Sequence, residues 1–175
     1  MKEFKYTLEQ IKKMLKEMII LVDSREQKNG HILDYFQRQG IAYEVQKLDY
    51  GDYSCKIPAV AAGRDIYFHN SVIIERKNSL EELSGSLAQH RDRFEMEFLK
   101  ARNAGAKIYL LVEDPRGYTA ICNHTYRTQF NPVSYVASLK TFESRYDMNL
   151  QFITPELSGH FIVSTFHYFA RESLR

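Results

Sequence analysis

The amino-acid sequence predicts an α/β domain in which helices cover a mixed β-sheet. Strand and helix patterns alternate along the chain, and neither repeats nor low-complexity segments interrupt them. The segment AKIYLLVED at 106–114 is apolar almost throughout, which is typical of a central strand covered on both faces. Asn131 and Thr154 are each followed by proline, and a cap residue before a proline is typical of a helix start. A length of 175 residues fits one domain with a sizeable core.

An amphipathic helix is predicted near the N-terminus. Thr7 can cap a helix that runs to about Met18, with apolar residues on one stripe and lysines on the opposite side. We interpret residues 1–18 as a helical extension that is added to the domain formed by residues 19–175.

The elements that follow are predicted from the periodicity of apolar residues. Strands are expected where apolar residues alternate with polar ones or form short buried runs, at residues 18–22, 41–48, 52–57, 65–68, 71–77, 106–114 and 149–153. Helices are expected where apolar residues recur every three or four positions, at residues 31–40, at about 87–103, and after Pro132 and Pro155. Gly40 stops the first of these helices, and Gly51 separates two of the strands.

Composition excludes several classes of protein. Hydrophobic residues make up 44% and charged residues 26%, as expected for a folded domain. No apolar run reaches the roughly 18 residues that a membrane span needs, and no signal peptide is present, so we expect an intracellular protein. A net charge of +2 does not by itself indicate nucleic acid as a partner. Cys55 and Cys122 show no zinc-binding spacing and are expected to be reduced thiols.

Acidic residues gather at the ends of predicted strands. They lie in three segments, which are VDSREQ at 22–27, GDY at 51–53 and IIERK at 73–77. Because side chains alternate along a strand, Glu75 and Lys77 should share one face, with Arg76 on the other. This alternation predicts a carboxylate beside an ammonium group.

Grouped carboxylates suit a hard divalent cation such as Mg²⁺, which prefers oxygen ligands and keeps several of its waters. Such a cation activates water and withdraws charge from phosphoryl oxygens, and a nearby lysine can orient the water. The pattern therefore favours phosphodiester hydrolysis. The alternative is that Asp52 and Glu75 are solvated surface charges at a spacing that arises by chance. Three consecutive charges after a buried strand favour a site, because burying them without partners is costly.

The three acidic segments resemble those of a known family. Val22-Asp23-Ser24-Arg25-Glu26, Gly51-Asp52-Tyr53 and Glu75-Arg76-Lys77 occur in the order found in the XPF-type nuclease domain. This domain occurs in XPF and the archaeal Hef nuclease, and it is a branch of the restriction-endonuclease-like PD-(D/E)xK superfamily. The resemblance covers roughly residues 19–172 and implies a three-layer domain with a mixed central sheet.

The resemblance implies a metal site with Mg²⁺ or Mn²⁺ as the cofactor. Asp52 and Glu75 would be ligands, Asp23 would lie at the same site, and Glu26 would support it.

The resemblance also implies roles for the basic residues of these segments. Lys77 would act on the attacking water or the scissile phosphate, while Arg25 and Arg76 would either hold phosphate oxygens or fix the carboxylates. One position departs from the family pattern ERKxxxD, because the fourth residue after Lys77 is Glu81. A glutamate keeps the charge one methylene further out, which is compatible with an outer role at the site.

DNA, in particular branched DNA, is the partner that the resemblance implies. Arg91 and Arg93 on the helix expected at about 87–103 are candidate contacts to the phosphate backbone, and His90 lies next to them. Tyr53, beside Asp52, is a candidate for stacking on a base.

The last predicted helix carries more apolar surface than one buried face needs. Val163 and Tyr168 lie off its main apolar stripe, which consists of Leu157, Phe161, Ile162, Thr165, Phe166 and Phe169. Members of the resembled family pair their nuclease domains through this region, so we expect a homodimer, or a heterodimer with a silent relative, through the C-terminal helices. The alternative is a monomer in which these helices cover the sheet.

Three functional hypotheses follow. The first is a metal-dependent endonuclease for branched, flapped or forked DNA, and the second is a catalytically silent XPF-like subunit that binds DNA or a partner protein. The third is an α/β domain unrelated to DNA whose motifs match by chance. Silent members typically lose the ligands, whereas Asp52, Glu75 and Lys77 are all present here, which favours the first hypothesis. The chain ends at Arg175 without the helix-hairpin-helix module of many relatives, so we expect a bacterial, phage or mobile-element origin.

Overall fold

A computed structural model describes residues 6–175 and shows a seven-stranded mixed sheet with helices on both faces, as predicted. The strands are β1 (Ile19–Asp23), β2 (Tyr43–Gln46), β3 (Tyr53–Ile57), β4 (Ile66–Tyr67), β5 (Val72–Lys77), β6 (Lys107–Val112) and β7 (Met148–Phe152). The helices are α1 (Leu8–Lys16), α2 (Gly30–Gln39), α3 (Ala59–Ala62), α4 (Leu80–Leu87), α5 (Arg91–Ala104), α6 (Gly117–Cys122), α7 (Pro132–Tyr146) and α8 (Ser158–Ser173).

The order of the strands brings the three acidic segments to one end of the sheet. The order is β2-β1-β3-β5-β6-β7, with β4 paired to β3. Strand β3 runs antiparallel to both β1 and β5, so its start lies beside the ends of those two strands. Tyr53 pairs with Val22 on β1 and with Ile74 on β5. One residue further towards that end, the three strands present Asp23, Asp52 and Glu75.

Each face of the sheet has its own hydrophobic core. On one face α1, α2 and α8 contribute buried residues such as Ile11, Phe36 and Phe166. On the other face α5 and α7 meet through an aromatic cluster, in which the ring of Phe98 lies 4.8 Å from that of Phe94 and 5.2 Å from that of Phe142. Because aromatic pairs in such geometries add to the energy of burial, this cluster fixes α5 over the acidic end of the sheet.

The predicted N-terminal helix is confirmed as α1. The side chain of Thr7 accepts a hydrogen bond from the backbone N–H of Gln10, whose side chain in turn accepts one from the N–H of Thr7. Within residues 6–175, none of the helices combines the length and the apolar character needed to cross a membrane. Cys55 and Cys122 are both free thiols, as predicted.

Several helix boundaries differ from the prediction. The helix expected at about 87–103 begins only at Arg91, as α5, and a separate helix before it, α4, ends at Leu87. Sequence periodicity missed α4 because its segment Ser84-Gly85-Ser86 has weak helix propensity, although Ser79 caps it through the N–H of Glu82. The short helices α3 and α6 were not predicted, and Pro155 starts a 3₁₀ turn that precedes α8.

Candidate active site

A cavity of about 320 Å³ opens at the acidic end of the sheet. Strands β1, β3 and β5 form one wall, and the α4–α5 turn with the first half of α5 forms the other. Gly51 makes the turn that leads Asp52 into the cavity. Its φ of +72° lies in the left-handed region, and a side chain there would approach Ile73 Cδ1 to 2.9 Å, so glycine is required.

Glu75 and Lys77 point to the same face of β5, as the alternation predicted. Their side chains form an ion pair with a distance of 3.2 Å between Lys77 Nζ and Glu75 Oε1, and both are nearly buried. Burial raises the pKa of the Glu75 carboxyl. Lys77 lowers this pKa, but its effect is smaller than that of burial, so the pKa stays raised. Burial by itself lowers the pKa of Lys77, but the carboxylates of Glu75 and Asp52 outweigh it and the pKa is raised. Lys77 is therefore a cation at neutral pH.

Asp52 is held by the backbone of β5. Its Oδ2 accepts a hydrogen bond of 2.8 Å from the N–H of Arg76, and its own N–H donates to the carbonyl of Ile74 at 2.9 Å. Burial raises the pKa of the Asp52 carboxyl well above its usual range, and the negative charges of Glu75 and Glu26 raise it further. The excess of negative charge around Asp52 is thus compensated only in part by the protein.

Asp23 and Arg25 shape the wall of the cavity. Asp23 Oδ1 accepts from the N–H of Leu48 at 3.0 Å, and Asp23 Oδ2 accepts from Arg25 Nε at 2.9 Å. Arg25 also donates to the carbonyl of Leu48 at 2.8 Å, which ties the end of β1 to the loop after β2. Both oxygens of Asp23 therefore have protein partners, and its role as a metal ligand stays a prediction.

Arg76 projects to the opposite face, where it fixes carboxylates. Its guanidinium donates to both oxygens of Glu26, at 2.8 and 3.0 Å, and to Glu113 Oε1 at 2.7 Å. The side chain of Arg76 is only 3% exposed, which favours the alternative in which it fixes carboxylates. Glu26 does not line the cavity, and its supporting role at the metal site stays a prediction. Glu113 was missed, although it also follows a buried strand, which is the signal that pointed to Glu75.

The two arginines predicted to contact DNA lie in different surroundings. Arg93 lines the cavity together with His90, and within residues 6–175 it has no ion-pair partner. Arg91 instead packs on α7, where it donates to Ser138 Oγ at 2.8 Å and lies 5.4 Å from the centre of the Phe142 ring. Glu97, one turn beyond Arg93, also lines the cavity and was not predicted, because the sequence alone does not show which face of α5 points inward.

The position of Tyr53 does not favour its predicted role in base stacking. Tyr53 is fully buried in the centre of β3, and burial raises the pKa of its hydroxyl. The hydroxyl oxygen accepts a hydrogen bond of 3.3 Å from Asn29 Nδ2. Its neighbour Asp52 comes just before the first residue of β3, at the end of the sheet where the cavity lies, and therefore lines the cavity.

Glu81 does not line the cavity. Its carboxylate lies 3.3 Å from Arg116 Nη2 and accepts from the N–H of Arg127 at 3.0 Å. Burial alone raises the pKa of this carboxyl, but the donors from Arg127 and Arg116 outweigh it and the pKa is lowered. The glutamate at this position belongs to a separate ion-pair cluster with Arg116 and Asp114.

The carboxylates of Asp52 and Glu75 fit a hard divalent cation. Their oxygens are the ligand type that such cations prefer, and burial, together with neighbouring carboxylates, raises the pKa of both groups. Within the described part of the chain, no three His, Cys, Asp or Glu side chains converge closely enough to form a complete ligand group. Two carboxylates therefore match a cation that keeps several waters and completes its coordination with substrate phosphate.

Comparisons with known proteins agree with the fold. Residues 22–165 match the family model of the ERCC4 domain. XPF from Aeropyrum pernix shares the fold, with 21% identity, a TM-score of 0.59, and coverage of 90% of this chain and 65% of that chain. XPF from the same organism in complex with DNA matches with 21% identity, a TM-score of 0.61, and coverage of 89% of this chain and 64% of that one. The chain thus spans less than two thirds of the length of these structures. No curated protein matches the sequence.

Proposed function

The chain belongs to the ERCC4 domain family, and we therefore propose that it is a divalent-metal-dependent endonuclease that hydrolyses phosphodiester bonds in DNA. The observation that carries this proposal is the cavity in which Asp52, Glu75 and Lys77 meet. Mg²⁺ or Mn²⁺ would be held by Asp52 and Glu75, with Asp23 beside them. The selectivity for branched, flapped or forked DNA is proposed from the resemblance of the motifs to XPF-type nucleases.

The side chains in the cavity divide the work of hydrolysis. A divalent cation at Asp52 and Glu75 would stabilise negative charge on the phosphoryl oxygens and lower the pKa of a bound water molecule. Lys77 is held beside Glu75 as a cation, where it can orient the attacking water or stabilise charge on the phosphate. Arg25 keeps the Asp23 carboxylate in place, and Arg93 offers a cation to the neighbouring DNA backbone. Because the free carboxyls have raised pKa values, cation binding is coupled to proton release and weakens as the pH falls.

The second hypothesis, a silent subunit that binds DNA or a partner, predicts a different cavity. Loss of catalysis removes the need for a buried carboxylate pair that repels itself. Here Asp52, Glu75 and Lys77 are kept together although the pKa of each carboxyl is raised, which is a cost to the metal-free fold. This cost favours the active enzyme.

The function is tested by incubating the protein with duplex, flap, fork and four-way DNA in the presence of Mg²⁺ or Mn²⁺. Cleavage of the branched substrates with either ion, and none with EDTA, is the expected result. Equal cleavage of the duplex would contradict the proposed selectivity for branched DNA, and the absence of all cleavage would contradict the enzymatic proposal.

DNA binding should depend on Arg93 and not on Arg91. Arg93→Ala is expected to weaken binding to all DNA substrates alike and to lower the slope of log K against log salt by about one, as for one lost phosphate contact. Fluorescence anisotropy across a salt series measures both quantities. Arg91→Ala is the matched control, because its guanidinium is already engaged by Ser138 and Phe142. It should lower thermal stability while the salt slope stays unchanged, and equal slopes for wild type and Arg93→Ala would contradict the assignment.

Dimerisation through the C-terminal helices is also part of the proposal. A groove of about 790 Å³ runs along α8, lined by apolar groups that include Tyr109, Phe161 and Phe169. Leu157 and Tyr168 line the same groove and are 53% and 54% exposed, so the groove presents apolar surface to solvent. These features support either a homodimer or a heterodimer with a silent relative.

Light scattering at micromolar concentration should give about twice the chain mass of 20.6 kDa for a homodimer. The double variant Leu157→Glu with Tyr168→Glu should return the mass to that of one chain, because it places charges in an apolar interface. Val60→Glu, at another exposed apolar position, serves as the control and should leave the mass unchanged. A wild-type mass near 20.6 kDa that does not change on addition of DNA would rule out the homodimer.

A further inference from the structure

We propose that Glu113 and His31 are positioning residues, which set the geometry of the acidic site from the opposite face of the sheet through Arg76. This inference rests on the proposed function, because it concerns the placement of the carboxylate of Asp52. Neither Glu113 nor His31 lines the cavity.

The first step is the contact between Arg76 and Asp52. The pairing of β3 with β5 has a single registered pair, Tyr53 with Ile74. Beyond that pair, the two strands are joined by the hydrogen bond from the N–H of Asp52 to the carbonyl of Ile74 and by the bond from the N–H of Arg76 to Asp52 Oδ2. The orientation of the Asp52 carboxylate therefore depends on where the backbone of residue 76 lies.

The second step is the anchoring of Arg76. Its guanidinium connects the loop after β1, through Glu26 and the carbonyl of Gln27, with the end of β6, through Glu113. These groups flank β3 and β5 on both sides, so one buried side chain holds the strand ends together. An arginine fork has fixed donor directions, and a shift of either carboxylate would shift the backbone of Arg76.

The third step is the anchoring of Glu113. One oxygen accepts from Arg76 Nη1, and the other lies 2.7 Å from His31 Nε2. An ionised carboxylate only accepts hydrogen bonds, so the Nε2 atom of His31 carries a hydrogen and donates the hydrogen bond to Glu113. The Glu113 side chain is 2% exposed, whereas His31, in the first turn of α2, is 36% exposed. His31 thus stops the Glu113 carboxylate from rotating and ties α2 to the catalytic strand.

Hydrogen exchange measured by NMR on the metal-free protein tests this inference. In Glu113→Gln the amide of Arg76, which donates to Asp52, should exchange at least about ten times faster, while the amides of Ile73 and Ile108 keep their rates. In His31→Ala the same selective change should be smaller, about two- to fivefold. Glu44→Gln is the matched control, because it removes the carboxylate of an ion pair with Lys56 on the same sheet and should leave the Arg76 amide unchanged.

Kinetics supply a second readout. Glu113→Gln should lower kcat for DNA cleavage by about 10- to 100-fold, as is typical for residues that orient ligands, while KM for DNA stays within about twofold. If Glu113→Gln does not fold, the same measurements on His31→Ala test the proposal.

Unchanged exchange of the Arg76 amide in both variants would overturn the proposal. An equal acceleration at Ile73 and Ile108 would overturn it as well, because it would indicate a general loss of stability. The exchange experiment requires neither metal nor DNA, so its result stands even if the wild-type protein cuts no DNA, which is the outcome that contradicts the proposed function.

Discussion

Asp52→Asn, Glu75→Gln and Lys77→Ala are each expected to lower the rate of DNA cleavage by at least about 10³-fold. The first two remove the negative charge from a proposed metal ligand, and the third removes the cation that we propose beside the scissile phosphate. Asp52→Asn and Glu75→Gln keep the side-chain volume, and none of the three variants touches Arg93, so DNA binding should persist. Single-turnover cleavage with Mg²⁺ and Mn²⁺, together with anisotropy for binding, separates chemistry from affinity.

The stability of these variants provides the control for folding. The raised pKa values of Asp52 and Glu75 mean that the folded protein binds protons more tightly than the unfolded chain. Their contribution to metal-free stability is therefore complete below the unfolded pKa of about 4 and is lost as the pH rises through the raised values. At pH 7 to 8, Asp52→Asn should be more stable than the wild type by about 0.5–2 kcal/mol, whereas at pH 4 the gain should vanish.

Two results would contradict the assignment. If the Glu75→Gln variant cleaved DNA at a near-normal rate, Glu75 would not be the metal ligand that we propose. A wild-type protein that is inactive with both ions, and whose melting temperature does not respond to them, would leave the carboxylate pair without a function in hydrolysis. Glu44→Gln, far from the cavity, should cleave like the wild type in the same assays.

The fold and part of the site could be predicted because local rules determine them. The alternation of side chains along a strand placed Glu75 and Lys77 on one face, and their ion pair confirms that prediction. The apolar run at 106–114 identified a central strand, and β6 does lie between β5 and β7. The cap residues and prolines located α7 closely and α8 to within a few residues.

The rest depended on contacts that are distant in sequence. Tyr53 stands next to Asp52, but β3 lies between two other strands and buries the tyrosine. Arg91 and Arg93 are equivalent in sequence, yet only the packing of α5 on α7 shows which of them faces the cavity. Glu113 follows a buried strand, but its link to the site could be found only once Arg76 was known to reach it from the neighbouring strand β5.

Arg76→Met is expected to destabilise the protein by about 3–5 kcal/mol, the largest effect on stability that we predict. The substitution keeps the apolar part of the side chain but leaves the carboxylates of Glu26 and Glu113 buried, at 8% and 2% exposure, without a cation between them. For a chain of this size, each kcal/mol corresponds to about 2–4 °C, so the melting temperature should fall by roughly 6–20 °C. Calorimetry in the absence of metal measures this fall in melting temperature.

Arg116→Met is the matched control for this effect. Arg116 also lies between two carboxylates, those of Asp114 and Glu81, but its side chain is 43% exposed. Asp114 and Glu81 are 8% and 22% exposed beneath this surface arginine, and its removal opens both carboxylates to water, so the loss should be no more than about 1 kcal/mol. If both variants lost the same stability, burial would not be what makes Arg76 important. If Arg76→Met melted like the wild type, Arg76 would not be the residue that holds the ends of β1, β5 and β6 together.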